Sequence, residues 1–156
     1  MKEIELIEDS VFLLNKYSDV DFFFQGYCFI EQDYIFGLEG ALKYKKERDM
    51  EITAGEDGSY VFVKRIGDEV TVGNDFYGYR KFFYYHSQDY WAVSNSLYEL
   101  AFHLQALGIR LTPNYGQLNA IKDAKAFRNQ LFSKFTAINE IKLAPMGVSL
   151  VFKGDK

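Results

Sequence analysis

Short aromatic and β-branched stretches, separated by turn residues, dominate the middle of this 156-residue sequence. Such stretches favour strands, and short strands spaced by Gly and Asp turns are typical of antiparallel sheets. The first stretch shows almost no alternation of apolar and polar side chains, which predicts a strand buried on both faces. Those that follow predict an antiparallel meander. The predicted strands are residues 20–30, 59–65, 69–72, 81–86, 90–94 and 148–152.

Helical signals occur at three places between and after these strands. Ser96 followed by Glu99 fits a capping box, and Thr112 before Pro113 is typical of a cap and a first helical position. Apolar side chains recur at helical spacing in the first two segments. The predicted helices are residues 35–48, 97–107 and 114–124. Because no linker or repeat divides the chain, the pattern predicts one α+β domain, with antiparallel sheet layers and helices.

Composition and charge exclude several classes of function. A net charge of −4 and a sequence pI near 5.2 provide no basic surface for nucleic acid or for an anionic membrane. The apolar stretches are shorter than the ~18 residues that a membrane helix needs. The single cysteine has no partner for an internal disulfide, and the first residues lack a secretory signal, so we expect a cytoplasmic protein.

Few residues carry the chemistry of a catalytic or metal site. His86 and His103 are the only histidines, and neither has Cys or carboxylate neighbours at ligand spacing, so we expect structural or surface roles and no metal. Cys28 stands between Tyr27 and Phe29, and an apolar strand raises a thiol's pKa and leaves it inert. The glycine-containing turns lack the pattern of a phosphate-binding loop, and no cofactor is expected.

Several short motifs between residues 68 and 100 occur in the same order as motifs of one known protein family. Asn74-Asp75 with Gly78 stands where one known family has Arg-Asp-x-x-Gly, and Ser94-Asn95 stands at its Ser-Glu pair. Residues 81–84 match its Pro-Leu-Tyr-Tyr. The chain therefore resembles the class II glutamine amidotransferase domain of asparagine synthetases, an Ntn-hydrolase-like glutaminase. The resemblance implies structural roles for Asp75, Gly78 and Ser94.

The resemblance extends over residues 20–152, although this chain departs from the family at its start. Gln25-Gly26 resembles the family's Asn-Gly pair, which contributes to an oxyanion hole, and implies a residual glutamine-binding pocket. The family's nucleophile is an N-terminal cysteine, whereas position 2 is Lys2. The resemblance thus implies a glutaminase-like domain at residues 20–156, truncated at its N-terminus and without the catalytic cysteine. Residues 1–20 would form an extension or a replacement strand.

Three functions follow from these observations. The first is a non-catalytic domain associated with an asparagine-synthetase-like, amide-forming enzyme of polysaccharide or natural-product biosynthesis. It would dock on a synthetase domain or form a homodimer through the last helices and residues 127–135. The chain is either part of a longer amidotransferase or a free-standing remnant, and alone it is expected not to be catalytic.

The second hypothesis is an amidohydrolase in which residues 1–27 are removed and Cys28 becomes the N-terminal nucleophile. The third is a carbohydrate- or peptide-binding module that stacks its ligand on exposed aromatic side chains. Aromatic residues make up 18% of the chain, which motivates this hypothesis, although strand aromatics are more often part of a core. The candidate stacking residues are Tyr77, Tyr79, Tyr85, Tyr90 and Trp91.

Overall fold

Two antiparallel sheets and three helices make up the part of the chain that the computed structural model describes, residues 11–123 and 134–153. The predicted α+β class with antiparallel sheets is confirmed. The strands are β1 (Leu13–Asn15), β2 (Phe22–Ile30), β3 (Asp33–Phe36), β4 (Asp57–Ile66), β5 (Glu69–Asn74), β6 (Phe83–His86), β7 (Trp91–Ser94), β8 (Lys142–Leu143) and β9 (Ser149–Lys153). The helices are α1 (Gly37–Arg48), α2 (Leu97–Ala106) and α3 (Tyr115–Asp123).

The strands divide between the sheets in a way that the predicted meander does not describe. The four-stranded sheet has the order β1-β7-β6-β8, and the five-stranded sheet has the order β3-β2-β4-β5-β9. The prediction of one meander is wrong, because β4 and β5 form a hairpin in one sheet and β6 and β7 form a hairpin in the other. The chain crosses between the sheets in the turn that begins at Asp75.

The two sheets pack face to face around one core. Phe12 lies against Phe23 with ring centroids 5.3 Å apart, and Trp91 stacks on Phe152 at 4.9 Å. Each pair joins one sheet to the other, and valines of β4, β5 and β7 fill the space between them. Helix α1 covers the outer face of the five-stranded sheet, and α2 covers the outer face of the four-stranded sheet. The layers are therefore helix, sheet, sheet and helix.

Strand β2 differs from its prediction at its second half. Phe23 and Phe24 are buried, as expected for a strand covered on both faces, but Tyr27 and Phe29 are exposed. The chain then turns back into β3, whose last two residues, Ile35 and Phe36, fall within the predicted helix 35–48. Helix α1 begins only at Gly37, after β3 has paired with β2 along four residues.

The helix caps follow the predictions in part. Ser96 Oγ accepts a hydrogen bond from Glu99 N–H at 3.3 Å, but Ser96 N–H donates to Ser94 Oγ instead of to Glu99. The prediction of Thr112 as the cap of α3 is wrong. Its hydroxyl and its N–H both donate to the carboxylate of Glu140, at 2.7 and 2.8 Å, and Asn114 Oδ1 accepts from Gln117 N–H as the cap.

Candidate functional site

Two polar residues, Gln25 and Asn95, lie together between the sheets, at positions that the sequence motifs include. Gln25 lies on the face of β2 that looks toward the four-stranded sheet, and it is only 3% exposed. Asn95, directly after β7, brings its Nδ2 to 3.5 Å from Gln25 Oε1, while its Oδ1 accepts from Phe12 N–H at 3.0 Å. The fold therefore brings the Gln25 position and the Ser94-Asn95 position into one polar cluster.

Ser94, which precedes Asn95 in the chain, is held by backbone groups. Its hydroxyl donates to Phe12 C=O at 2.6 Å and accepts from Ser96 N–H at 3.0 Å, and the residue is fully buried. A serine nucleophile needs a base that takes its proton, and here the proton points to a carbonyl oxygen. This geometry makes Ser94 a link between β7 and the segment before β1.

Asp75 organises the crossing between the two sheets. Its buried carboxylate accepts hydrogen bonds from three backbone N–H groups, those of Tyr60 at 3.3 Å, Tyr79 at 2.9 Å and Arg80 at 3.0 Å. Its carbonyl oxygen accepts a hydrogen bond from Gly78 N–H. Gly78 has a backbone φ of +64°, a conformation that residues with a Cβ rarely adopt. The carboxylate thus ties β4 to the turn that leads into β6.

Asn74, which precedes this aspartate, is also buried. Its Oδ1 accepts from Gly147 N–H at 3.1 Å, while its Nδ2 has no hydrogen-bond partner. A buried donor without a partner has a cost in stability of roughly 1–3 kcal/mol. The asparagine therefore positions the turn around Gly147, at an energetic cost.

Gly26 is required by the close approach of β2 and β4. It has a φ of +107°, and a Cβ built on it would lie 2.0 Å from the carbonyl oxygen of Ser59. Gly58, which pairs with Cys28 in the same ladder, has a similar restriction at a φ of +143°. Backbone packing is thus sufficient to explain glycine at position 26.

Cys28 lies on the opposite face of β2 from Gln25. It is fully buried under α1, in a cluster with Ile35, Ala41 and Tyr60. Burial raises the pKa of the Cys28 thiol to about 12, and the negative charge of Glu56 adds to the shift. At this pKa the thiolate, which is the nucleophilic form, is scarcely populated near neutral pH.

We expect Cys28 to resist alkylation in the folded protein. Treatment with iodoacetamide at pH 8 should leave the native chain unmodified for hours, because the thiol is both inaccessible and protonated. The same reagent in denaturant should modify it within minutes. Intact mass spectrometry measures both reactions, and rapid modification of the native protein would contradict the burial of this side chain.

The two histidines occupy ordinary positions. His86 is exposed at the end of β6, beside the ring of Phe152. His103 lies on α2, and its Nε2 is within hydrogen-bonding distance of Tyr90 Oη. Within residues 11–123 and 134–153, no three His, Cys, Asp or Glu side chains are grouped so as to hold a metal ion.

The candidate stacking residues fall into two groups. Tyr77 and Tyr79 are 53% and 68% exposed in the turn after β5, with ring centroids 5.5 Å apart. Tyr85 and Tyr90 are partly buried against α2, and Trp91 lies in the core between the sheets. Only the first pair offers rings to a ligand.

Sequence reasoning missed the part of Asn95 and of Phe12 in the polar cluster. Asn95 was noted only as a departure from a Ser-Glu pair, and Phe12 lies before the first predicted strand.

No helix among the described residues has the length and apolar character needed to cross a membrane. Comparisons of this chain with protein-family models, with curated proteins and with solved structures found no match.

Proposed function

We propose that this chain is a non-catalytic, glutaminase-like domain that acts in the cytosol by docking on an asparagine-synthetase-like, amide-forming partner of a biosynthetic pathway. The observation that carries the proposal is the polar cluster between the sheets. It contains Gln25 and Asn95, which stand at the Asn-Gly and Ser-Glu positions of the class II glutaminase pattern. The layered arrangement of two antiparallel sheets with outer helices also supports a glutaminase-like, Ntn-hydrolase-like fold.

The bonding of this cluster supports a role without catalysis. The hydroxyl of Ser94 and the amide of Asn95 are used to hold the segment around Phe12. The only cysteine of the sequence, Cys28, faces α1 on the far side of β2. A nucleophile with a base and a substrate pocket is needed for amide hydrolysis, and these residues do not supply one.

We expect no glutaminase activity from the purified chain. Ammonia release from glutamine should stay at background, and Cys28→Ala should leave that background unchanged. Turnover that the substitution abolishes would support the alternative in which Cys28 is the nucleophile. That alternative also predicts a purified species beginning at Cys28 in intact mass spectrometry. Turnover that survives the substitution would mean that another residue acts as the nucleophile.

Exposed apolar side chains on α2 support the docking part of the proposal. Tyr98 and Phe102 are 66% and 52% exposed, one helical turn apart, with ring centroids at 4.4 Å. Phe135 is 44% exposed, and Lys142 Nζ lies 5.0 Å from its ring. The remainder of the predicted docking segment, up to residue 133, lies outside the described residues. Aromatic side chains grouped in this way are typical of binding hot spots.

We expect the α2 surface to carry the partner interaction. Replacing both Tyr98 and Phe102 by Ser should weaken binding to an asparagine-synthetase-like synthetase domain at least ~10-fold, because each aromatic hot spot contributes more than ~1 kcal/mol. Titration calorimetry with the purified domain measures the affinity. The matched control is Ile66→Ser, an equally exposed apolar residue at the end of β4, which should not change it. Equal loss in both variants, or no binding by the parent chain, would contradict the proposal.

A binding module is the second candidate function, and the exposure of Tyr77 and Tyr79 favours it. Together with Phe76, they form a row of rings with neighbouring centroids 5.0 and 5.5 Å apart. Such a row is suited to stacking on sugar rings or on a peptide. Glycan-array binding that is lost in Tyr77→Ser and Tyr79→Ser would favour this candidate over the first.

A further inference from the structure

Strand β3 presents an unpaired hydrogen-bonding edge of the five-stranded sheet. It is the first strand in the order β3-β2-β4-β5-β9, and among the described residues no strand pairs with its other side. Residues 31 and 32 form a two-residue turn, so Ile30 and Asp33 are the hydrogen-bonded pair that closes the hairpin. Because backbone groups alternate in direction along an antiparallel strand, those of Tyr34 point away from β2. An extended polypeptide can form hydrogen bonds with such an edge.

The β3 edge lacks the features that protect the other edges of the two sheets. In the four-stranded sheet, the edge strands β1 and β8 have only three and two residues. Strand β9, at the other edge of the five-stranded sheet, ends in Lys153. Short edge strands and lysines both discourage pairing with another chain. Strand β3 has four residues, of which none is Lys or Pro, and it carries the exposed rings of Tyr34 and Phe36. Its edge is therefore suited to accept a further strand.

Four aromatic side chains form an exposed surface beside this edge, on the face of the sheet that looks toward the four-stranded sheet. Tyr27 and Phe29 of β2 are opposite Phe36 and Tyr34 of β3, respectively, and the four residues are between 37% and 59% exposed. Tyr34 is central, with its ring centroid 5.2 to 6.3 Å from those of the other three. We call Tyr27, Phe29, Tyr34 and Phe36 the aromatic ledge. A contiguous exposed apolar patch usually marks a binding site.

A groove borders β3 on the opposite face of the sheet. It has a volume of about 360 Å³ and lies between β3 and α1. Gly40 is part of its wall and, having no side chain, leaves the space open. Arg48 Nη2 lies 2.9 Å from Asp33 Oδ2, and Lys43 Nζ lies 3.9 Å from Glu47 Oε1, so the acids and bases that line the groove are balanced. The groove therefore fits an uncharged polar side chain better than a charged one.

We propose that the β3 edge is a peptide-binding site, which takes an extended peptide of another protein as an additional antiparallel strand. Side chains of a strand alternate between its two faces, so every second residue of the peptide lies beside the aromatic ledge and the residues between them enter the groove. The ligand is thus a strand in which aromatic or aliphatic residues alternate with uncharged polar ones. Main-chain hydrogen bonds supply the affinity, and the two faces supply the sequence preference. The site is separate from the α2 surface of the proposed function.

A second copy of this chain fits the edge less well than a peptide does. On the groove side of β3, Ile35 is buried under α1 and Asp33 is paired with Arg48, so the β3 of a second copy has no free side chain to fill the groove. The exposed part of the aromatic ledge is also small, roughly 300–500 Å², since an aromatic side chain has ~150–250 Å². A stable protein interface buries about 800 Å² per partner. These dimensions fit a short peptide.

A labelled synthetic peptide tests the site on the full-length chain. The probe is fluorescein-Lys-Thr-Phe-Thr-Val-Thr-Phe-Thr-Lys, and fluorescence polarisation should show saturable binding. In an antiparallel pair with β3, the Phe and Val residues lie beside the aromatic ledge and direct their N–H groups to the edge. N-methylation of these three residues should weaken binding at least ~10-fold, because it removes main-chain hydrogen bonds. N-methylation of the threonines between them should change the affinity less than ~2-fold. Equal effects of the two sets, or no binding by the unmodified probe, would overturn the proposal.

A substitution that fills the groove provides a second test with the same probe. Gly40→Leu should weaken binding at least ~5-fold, because the new side chain occupies the space that the peptide needs. A Cβ at position 40 meets only atoms of Ile35, at 3.7 Å or more, and leucine is the better helix former, so the variant should fold. The matched control is Lys46→Leu, at an exposed position of α1 outside the groove, which should not change binding. Equal affinities of the two variants would overturn the proposal.

Light scattering distinguishes a peptide from a second copy of the chain. A parent chain that is dimeric, and that Tyr34→Thr converts to a monomer, would assign the edge to a second copy and overturn the proposal. A parent chain that is unchanged in mass by this substitution, while the substitution weakens probe binding, supports it. No synthetase domain is present in any of these experiments, so their failure is separate from a failure of the proposed function.

Discussion

Asp75→Ala is expected to lower the free energy of unfolding by at least ~4 kcal/mol, a large share of a typical domain's stability. The substitution leaves three backbone N–H groups, those of Tyr60, Tyr79 and Arg80, without their acceptor. Hydrogen bonds to a charged group contribute about 1.5–3 kcal/mol each, and the aspartate is fully buried, so water does not readily replace it. Urea denaturation followed by circular dichroism measures the change.

Two variants make this measurement specific to the carboxylate. Asp75→Asn keeps the shape and one acceptor oxygen but turns an amide NH₂ toward backbone donors. Its free energy of unfolding should therefore lie between that of the parent chain and that of Asp75→Ala. Asp89→Ala removes an exposed carboxylate near the β6–β7 turn and should change stability by less than ~0.5 kcal/mol. A loss for Asp75→Ala as small as that of Asp89→Ala would contradict the role of Asp75 as the junction between the sheets.

Gly26→Ala should be comparably damaging, with a loss of on the order of 3 kcal/mol or more. The added Cβ would stand 2.0 Å from Ser59 O and 3.0 Å from the Tyr60 Cα, which are backbone atoms that no rotamer change can move. The φ of +107° adds strain, because a residue with a Cβ rarely adopts it. Thermal unfolding should show a decrease in Tm of roughly 6–12 °C or more, if the variant folds, because 1 kcal/mol corresponds to about 2–4 °C in a chain of this size.

The control for Gly26→Ala is the same substitution in a helix. Gly116 lies in α3, and a Cβ there would meet only Asn114 Oδ1 at 3.5 Å, an ordinary contact. Gly116→Ala should be neutral or stabilising by up to ~1 kcal/mol, since alanine is the better helix former. If Gly26→Ala were equally well tolerated, the close approach of β2 and β4 would be wrong, and the glycine would need another explanation.

The elements with strong local signals were predictable from the sequence. Helix α2 follows from the Ser96–Glu99 capping pattern and the apolar stripe, and the structure places the helix at Leu97–Ala106 with Ser96 as its cap. Strands β4 and β5 follow from their β-branched and aromatic residues and from the turn at Gly67. These signals are local, because each depends on residues that are neighbours in the chain.

The elements that were missed depend on distant partners or on unusual turns. Strand β1 was predicted only as an extension or a replacement strand within residues 1–20, because it has three residues and exists through its pairing with β7, about eighty residues later in the chain. Strand β3 was not predicted, and its second half was included in the helix, because the β2–β3 turn has no glycine and Glu31 itself adopts a positive φ of 55°. Thr112 fits a helix cap locally, but Glu140 competes for its hydroxyl and its N–H.

The candidate site was predictable only as separate pieces. Gln25 and Ser94 were singled out from two motifs about seventy residues apart, and nothing in the spacing indicates that Asn95 joins them. The direction of each side chain on β2 decides the chemistry, since Gln25 faces the other sheet and Cys28 faces α1. Alternation along a strand predicts that these residues face opposite sides, but not which side is which.

The pairing of β5 with β9 has a consequence for the synthesis of the protein. Val70 is opposite Phe152, and Gly73 is opposite Ser149, so β5 remains an unpaired edge until the ribosome has made the residues of β9. At a translation speed of 5–20 residues per second, this interval lasts roughly 4–16 s. During this interval, the unpaired edge of β5 is exposed to other nascent chains on the same mRNA. Unpaired strand edges of this kind promote aggregation. The β5 edge is therefore the place at which the structure exposes a nascent chain to pairing with its neighbours before β9 has been made.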